Sequence, residues 1–350
     1  MNQHPSTIDP SSTGARARRV TSYDVATAAG VSQSAVSRCF KPGASVSKST
    51  FARVMQAAKA LDYTPNAAAR SLTTRRSNLI AVILSNQALQ HYPEVLSELT
   101  QQFGRRGRRV LLLILQRASD IDHTLAALWQ HQVDGAVVAA RLTPAQAAEF
   151  ERRQVPLVLF NRAAPDGTGN AVVCDQQEAA HTLVSRLAAA GHRRFAMIDG
   201  PLDSSIAAER TLGVRTRLAA LGLPAPLIVA GGHDYASGAR GMRDIVERLG
   251  KAPDVVICAN DMVAIGCLDS ARLDMRLDVP GLLSITGFGA IAQAGWLNYQ
   301  LTTLRQPMGE MTVAVAEMLG ALIDDAATPA RQLRFAAQVV DGATARLGPP

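Results

Sequence analysis

The chain has 350 residues, enough for a small domain and a large core, and its 47% hydrophobic content is ample for burial although no apolar run approaches membrane-spanning length. Its formal net charge is +7, but residues 1–80 hold 11 Lys+Arg against 3 acids (Asp9, Asp24, Asp62) while the remainder holds 25 against 26. A positive excess confined to the first quarter suits phosphate contact and counterion release there.

Residues 1–19 are polar and end in Gly14-Ala15-Arg16-Ala17-Arg18-Arg19. They lack the apolar stretch of a secretory signal and read as a disordered basic arm. The bacterial cytoplasm is the expected location, with no membrane partner.

Three short amphipathic helices follow within residues 20–65. Thr21 or Ser22 is the candidate cap of the first, since a hydroxyl accepts from an otherwise unpaired backbone N–H. Val25, Ala26 and Ala29 share one face at helical spacing. Gly30 supplies the backbone angles of a tight turn between crossing helices. Ser32 caps a second helix whose Val36 faces inward while Gln33, Ser34, Ser37 and Arg38 face outward. Ser47 caps a third helix carrying Val54, Ala57, Ala58 and Leu61. The pattern fits a helix-turn-helix DNA reader; a plain three-helix bundle with no nucleic-acid role is the alternative. Asn66–Thr74 comes next, a segment too short to be a stable isolated helix.

The run Val20-Thr21-x-Tyr23-Asp24-Val25-Ala26-x-x-Ala29-Gly30-Val31-Ser32-x-x-x-Val36-Ser37-Arg38 resembles the headpiece of the lactose-repressor/purine-repressor (LacI type) family. Tyr63-x-Pro65-Asn66-x-x-Ala69-x-x-Leu72 resembles that family's linker and hinge helix. The two motifs in this order are specific, and the resemblance runs over nearly the whole chain from about residue 20. It implies that the second helix enters the major groove, with Gln33 and Ser34 at the main specificity positions. Gln33 suits bidentate pairing with adenine, and Ser34 is nearly indifferent to base identity. Arg38 is expected on guanine or phosphate, and Ser37 and Lys48 on phosphates, which position the helix without reading sequence. Thr21, Tyr23 and Ser32, with Asn66 and Ala69 of the hinge, complete the expected DNA-contact set. The resemblance also implies that the hinge folds only against DNA, paired with a second subunit's. Leu72 is then the apolar wedge that opens a base step in the minor groove; an ordinary core leucine is the alternative. Two hinges require a homodimer and a near-palindromic double-stranded operator. No leucine heptads follow Ala343, so a dimer is expected rather than a tetramer.

From Leu79 onward, apolar runs alternate with helical patterns. Leu79–Ser85, Val110–Leu115, Asp134–Ala140 and Pro156–Phe160 form a first series of strands. Ala171–Cys174, Phe195–Asp199, Leu227–Ala230, Val255–Ala259 and Leu283–Thr286 form a second. Such alternation predicts parallel doubly wound sheets. The expected fold is an all-α helix-turn-helix headpiece plus an α/β core of two such subdomains. The resemblance adds that the core is of the periplasmic-binding-protein type, with three crossovers. The expected domains are the arm 1–19, headpiece 20–65, hinge and linker 66–77, and effector-binding and dimerisation core 78–350. Within the core, an N-subdomain covers about 78–173 plus 306–333, and a C-subdomain about 174–305 plus 334–350.

Ligands in such folds sit beyond the carboxyl ends of strands, between the subdomains. Asn161-Arg162, Arg210, Asn260-Asp261 and Gln306 stand at or just after strand ends. Arg brings a fixed fork of donors, and Asn or Gln both a donor and an acceptor, which suits polyhydroxyl or acidic ligands. Asn260 alternatively does no more than cap its helix. The resemblance implies effector-site roles for Arg210, Asn260-Asp261 and Gln306, and places Asn161 where many relatives have an Asp. His233 or Tyr235 falls near the position of an aromatic that stacks on the ligand. Relatives commonly carry Gly-Tyr/Phe-Asp-Asp where this chain reads Gly287-Phe288-Gly289-Ala290. With two carboxylates absent and Arg210 kept, an anionic effector, such as a sugar acid or phosphorylated sugar, is expected over a neutral monosaccharide.

No cofactor or metal is expected. Cys39, Cys174, Cys258 and Cys267 are scattered without a Cys-x-x-Cys pair and read as buried reduced thiols. The core has no nucleophile elbow, P-loop or complete dinucleotide fingerprint, which argues against an enzyme; Gly287-x-Gly289 alone is a weak phosphate-loop signal. The leading reading is a ligand-responsive transcription repressor. The alternatives are a transport-type solute-binding protein, which has no use for residues 20–74, and a DNA-binding regulator that has lost effector control.

Overall fold

The computed structural model of the chain describes residues 20–41, 43–64, 76–162 and 168–349. It divides into two units, Met1–Ser77 and Asn78–Pro350. The basic arm and the hinge residues Asn66, Ala69 and Leu72 lie outside the described residues.

The first unit contains α1 (Ser22–Ala29), α2 (Gln33–Cys39) and α3 (Lys48–Ala60). Thr21, one of the two expected caps, is the N-cap of α1 and forms a capping box with Asp24. The Asp24 carboxylate accepts from both the Thr21 N–H at 2.8 Å and its hydroxyl at 2.7 Å, so Asp24 reaches back to hold the helix start. Gly30 ends α1 at φ 62, the left-handed angle the turn requires. Ser32 Oγ accepts from the Ala35 N–H and Ser47 Oγ from the Thr50 N–H, as predicted. Val25, Ala26, Ala29, Val36, Val54, Ala57 and Ala58 form the buried core. Alanines on facing helices permit close approach, and each buried valine contributes roughly 1.5–3 kcal/mol.

In the second unit, a six-stranded sheet belongs to lobe one. Its strands are β1 (Leu79–Ser85), β2 (Arg109–Leu115), β3 (Gly135–Val138), β4 (Leu157–Phe160), β5 (Ala171–Cys174) and β11 (Gln332–Phe335), in the order β11-β5-β4-β3-β1-β2. All neighbours pair in parallel. A four-stranded parallel sheet belongs to lobe two: β6 (Phe195–Ile198), β7 (Leu227–Val229), β8 (Val255–Cys258) and β9 (Ser284–Thr286), in the order β7-β6-β8-β9. An antiparallel pair, β10 (Thr303–Arg305) and β12 (Gln338–Val340), stands beside it through bridges to Thr286 and Gly289.

The helices are α4 (Asn86–His91), α5 (Pro93–Arg105), α6 (Ile121–Leu128), α7 (Pro144–Arg152), α8 (Gln176–Ala189), α9 (Ser205–Ala220), α10 (Tyr235–Leu249), α11 (Asp261–Asp269) and α12 (Met308–Asp324). They cover both faces of each sheet, so each lobe has two apolar layers. The chain passes between lobes three times: after β5, between β10 and α12, and between β11 and β12.

One strand changes sheet, and three strands, β10, β11 and β12, have no counterpart in the sequence reading. Ala171–Cys174, read from the sequence as opening the second series, pairs with β4 and β11 in the first sheet. Its partner Gln332–Phe335 lies about 160 positions later and is partly exposed, so neither sequence order nor an apolar run reveals the pairing. β10 and β12 are three residues each, too short to register as apolar runs.

Candidate ligand cavity and nucleic-acid interface

The strand ends of both lobes line a cavity of about 130 Å³. At roughly 10–15 Å³ for each water centre, it has room for on the order of ten waters, the size of a small metabolite. Leu84, Val95, Phe160 and Met308 give it an apolar wall from lobe one, with Ile206 and Ile291 from lobe two. Asn161, Arg162, Arg210, His233, Asn260, Asp261 and Gln306 all reach its lining.

These polar groups form a connected frame. Asn161 leaves β4 at φ 51, a left-handed angle that asparagine tolerates. Its Nδ2 donates to Gln306 Oε1 at 3.0 Å. Gln306 Oε1 also accepts from Gln176 Nε2 at 3.2 Å. Gln176 Oε1 accepts from Arg210 Nε at 2.9 Å, and Arg210 Nη1 donates to the Ala259 carbonyl at 2.5 Å. The Arg210 guanidinium lies over the Phe288 ring, 3.4 Å from its centroid. Burial lowers its pKa to about 10, so it stays charged at neutral pH. Arg162 Nη1 donates to the Asn161 carbonyl at 2.7 Å, and burial lowers its pKa from the ordinary value.

Asn260 does cap α11, accepting from the Val263 N–H at 2.9 Å. Its Nδ2 also donates to the His233 carbonyl at 3.2 Å and stands 3.3 Å from His233 Nδ1. Capping and cavity lining therefore coexist. Asp261 is fully buried. Its Oδ1 accepts from Thr303 Oγ1 at 2.5 Å and its Oδ2 from the Ile291 N–H at 2.8 Å. Burial raises its pKa, opposed by those bonds. One carboxylate oxygen thus fastens β10 and the other the loop after β9.

Two expected residues stand elsewhere. Tyr235 is 41% exposed at the start of α10 and donates to Asp269 Oδ2 at 2.9 Å, outside the cavity. Asp234, the cap of α10, turns the chain between them, so His233 and not Tyr235 reaches the lining. Gly289 is not on the wall either. It adopts φ 140, and a Cβ built on it would overlap the Tyr92 hydroxyl. The phenol of Tyr92 takes the volume that a side chain at 289 needs.

Sequence reasoning missed Tyr92 and Gln176. Gln176 follows a strand end, so the rule that selected Asn161 applies to it equally. Tyr92 follows α4 rather than a strand and carries no such signal. Its ring packs against the apolar clusters of both lobes, and Gln306 Nε2 donates to its Oη at 3.4 Å. Burial pushes its phenol up to about 12, leaving it protonated at neutral pH.

In the headpiece, α2 presents Ser34, Ser37 and Arg38 to solvent, with Lys48 exposed at the start of α3. Tyr23 is 69% exposed, and Thr21 is half-buried against Asp24. Gln33 Nε2 donates to Ser22 Oγ at 3.3 Å, and the Ser32 and Ser34 hydroxyls lie 2.9 Å apart. Exposed donors and acceptors on one short helix, with basic residues beside it, are the chemistry that a major groove and its phosphates require. Among the described residues, no His, Cys, Asp and Glu cluster is placed to hold a metal. All four cysteines are free thiols, and among the described residues no helix is long and apolar enough to cross a membrane.

Residues 21–66 match the family model described as bacterial regulatory proteins, lacI family. Residues 184–345 match the periplasmic binding protein-like domain. The chain is 28% identical over 310 residues to the HTH-type transcriptional regulator AscG of Escherichia coli (strain K12), covering 87% of this chain and 91% of that one. It is 29% identical over 305 residues to catabolite control protein A of Priestia megaterium, covering 86% and 91%. Its fold resembles that of the lac repressor dimer bound to operator and the anti-inducer ONPF, with a TM-score of 0.85 at 24% identity over 93% of this chain and 99% of that one. The relatives are transcriptional regulators, not enzymes. The chain thus carries a lacI-family helix-turn-helix domain and a periplasmic binding protein-like domain, and it is similar to DNA-binding transcriptional regulators with that combination.

Proposed function

We propose that this regulator is a repressor whose affinity for a near-palindromic operator is set by a small ligand held between the lobes of its core. The observation that carries this reading is the cavity on which Arg210, Asn260 and Gln306 converge. Gln33, Ser34 and Arg38 read bases, Ser37 and Lys48 touch phosphates, and the hinge wedge is Leu72. The protein performs no turnover and works in the cytoplasm.

A homodimer is the working form. Leu273, Trp296 and Leu297 are 73%, 57% and 88% exposed on lobe two, a concentration of large apolar side chains that a second copy would cover. Arg272 ties these segments together by donating to the carbonyls of Asn298 and Val279.

The ligand is anionic, such as a sugar acid or phosphorylated sugar. Supporting this, Asp261 has both oxygens engaged by the protein, whereas Arg162 makes no ion pair among the described residues. A calorimetric screen in which neutral sugars bind and acidic ones do not would count against it. Mapping bound genomic sites, then gel shifts on those sites with and without candidate ligands, tests the whole reading. Leu72→Ala is expected to weaken operator binding strongly while ligand affinity stays unchanged; unchanged operator binding refutes the wedge.

A further inference from the structure

A second, larger chamber of about 740 Å³ adjoins the inner cavity, sharing Ser85, Ala139, Arg162, Ser204 and His233 with it. Its wall holds Arg117, Arg141 and Arg162 against a single acid, Asp203. None of the three arginines forms an ion pair among the described residues. The nearby carboxylates of Asp120 and Asp122 are engaged otherwise, by the Arg117 backbone N–H at 3.0 Å and by Gln146 Nε2 at 2.6 Å.

Three helices begin at this wall. Ile121 opens α6, Pro144 opens α7 and Ser205 opens α9, and all three residues or their caps line the chamber. Their N-terminal partial charges add to the arginine field. Arg162 sits on the boundary of both spaces. Its only hydrogen bond among the described residues is to the Asn161 carbonyl, which leaves most of its fork of donors for a ligand.

The inner cavity differs in charge. There the buried Arg210 feels the field of the buried Asp261, and apart from Arg162 on the boundary the wall adds the uncharged amides of Asn161, Asn260 and Gln306 to its apolar side chains. A compact uncharged group suits the inner space, and an anion suits the outer one.

We propose that the outer chamber is an anion site, in which Arg117, Arg141 and Arg162 hold the phosphate or carboxylate group of a ligand whose uncharged part lies in the inner cavity. This rests on the reading of the inner cavity as the ligand site, and it assigns the ligand's charge to arginines other than Arg210.

The test is titration of the full-length protein with inorganic phosphate, and in parallel with acetate, followed by calorimetry. Wild-type protein is compared with Arg117→Gln/Arg141→Gln and with a control, Arg152→Gln/Arg153→Gln. The control removes the same charge from the far end of α7, where both arginines pair with Glu149. All three share one headpiece, so anion binding there cancels. Phosphate affinity is expected to fall about tenfold in the chamber variant, roughly 1.4 kcal/mol, and little in the control. Tighter phosphate than acetate binding identifies a phosphate ester; the reverse identifies a carboxylate. Absence of wild-type binding, equal loss in both variants, or no loss in the chamber variant overturns the proposal. Operator gel shifts on the same proteins read DNA binding separately, so failure of the anion site is distinguishable from failure of the regulatory reading.

Discussion

Gly289 offers the most quantitative check on the cavity. Its φ of 140 lies where side chains are strained, and its backbone is pinned because its N–H donates to the Leu304 carbonyl at 2.8 Å. Gly289→Ala therefore meets two independent penalties. The backbone penalty is about 1–3 kcal/mol. The new Cβ also overlaps the Tyr92 hydroxyl, so Tyr92 must withdraw and lose its bond to Gln306, a net cost of about 0.5–1.5 kcal/mol. We expect a core destabilised by about 2–4 kcal/mol in urea denaturation. Tyr92→Phe removes the overlapping oxygen but not the backbone strain, and leaves ring carbon Cζ only 3.3 Å from the built Cβ. The double variant should thus recover about 1 kcal/mol relative to the two single losses. Strictly additive single and double variants, or a Gly289→Ala protein as stable as wild type, would refute the matched-pair explanation.

Gln33→Ala is expected to remove about 1–3 kcal/mol of discrimination at one adenine, measured by gel shifts on operators altered at that pair. Equal selectivity in variant and wild type argues against Gln33 as a base reader. Leu273→Glu/Leu297→Glu is expected to give a folded monomer by light scattering; a persistent dimer moves the interface elsewhere. His192 is buried, with Nδ1 lacking a partner among the described residues, and burial lowers its pKa. Its neutral form favours folding above the unfolded value of about 6.5, and that stability is lost as pH falls below it, by at most about 1.4 kcal/mol per pH unit. His192→Gln should flatten this slope; an unchanged slope between pH 7 and 5 refutes the assignment.

The headpiece was legible because its signals are local. Gly30, Ser32 and Ser47 each act within four residues, and the apolar face repeats at helical spacing. The lobes were legible as strand–helix alternation, but their membership was not. β5 and β11 pair across about 160 positions, and nothing in either short run names the partner. Polar residues at strand ends led to Asn161, Asn260, Asp261 and Gln306, because parallel strands deliver their carboxyl ends to one place, whereas Arg210 reaches the same lining from within α9. The same reasoning cannot reach Tyr92, which comes from a helix junction and matters only because Gly289 is empty. Nor does it separate a carboxylate facing the cavity from one turned into its wall, as Asp261 is.

That engagement of side chains bears on how ligand binding gains leverage. Arg210 is held at Nε by Gln176, at Nη1 by the Ala259 carbonyl, and over its face by Phe288. Its orientation is fixed before a ligand arrives, so binding need not immobilise it and loses little entropy there. Gln306, by contrast, stands at a crossover and bonds to Asn161 of lobe one, to Gln176 at the entry to lobe two, and to Tyr92, which touches both cores. Each such bond is worth about 0.5–1.5 kcal/mol net, so the frame joining the lobes is comparable in strength to a typical coupling free energy of about 1–3 kcal/mol. A ligand shifts the lobes only by its difference in affinity between their arrangements. Under the proposed ligand reading, the held Arg210 would supply affinity, and the Gln306 junction, whose bonds join the two lobes, would supply the difference.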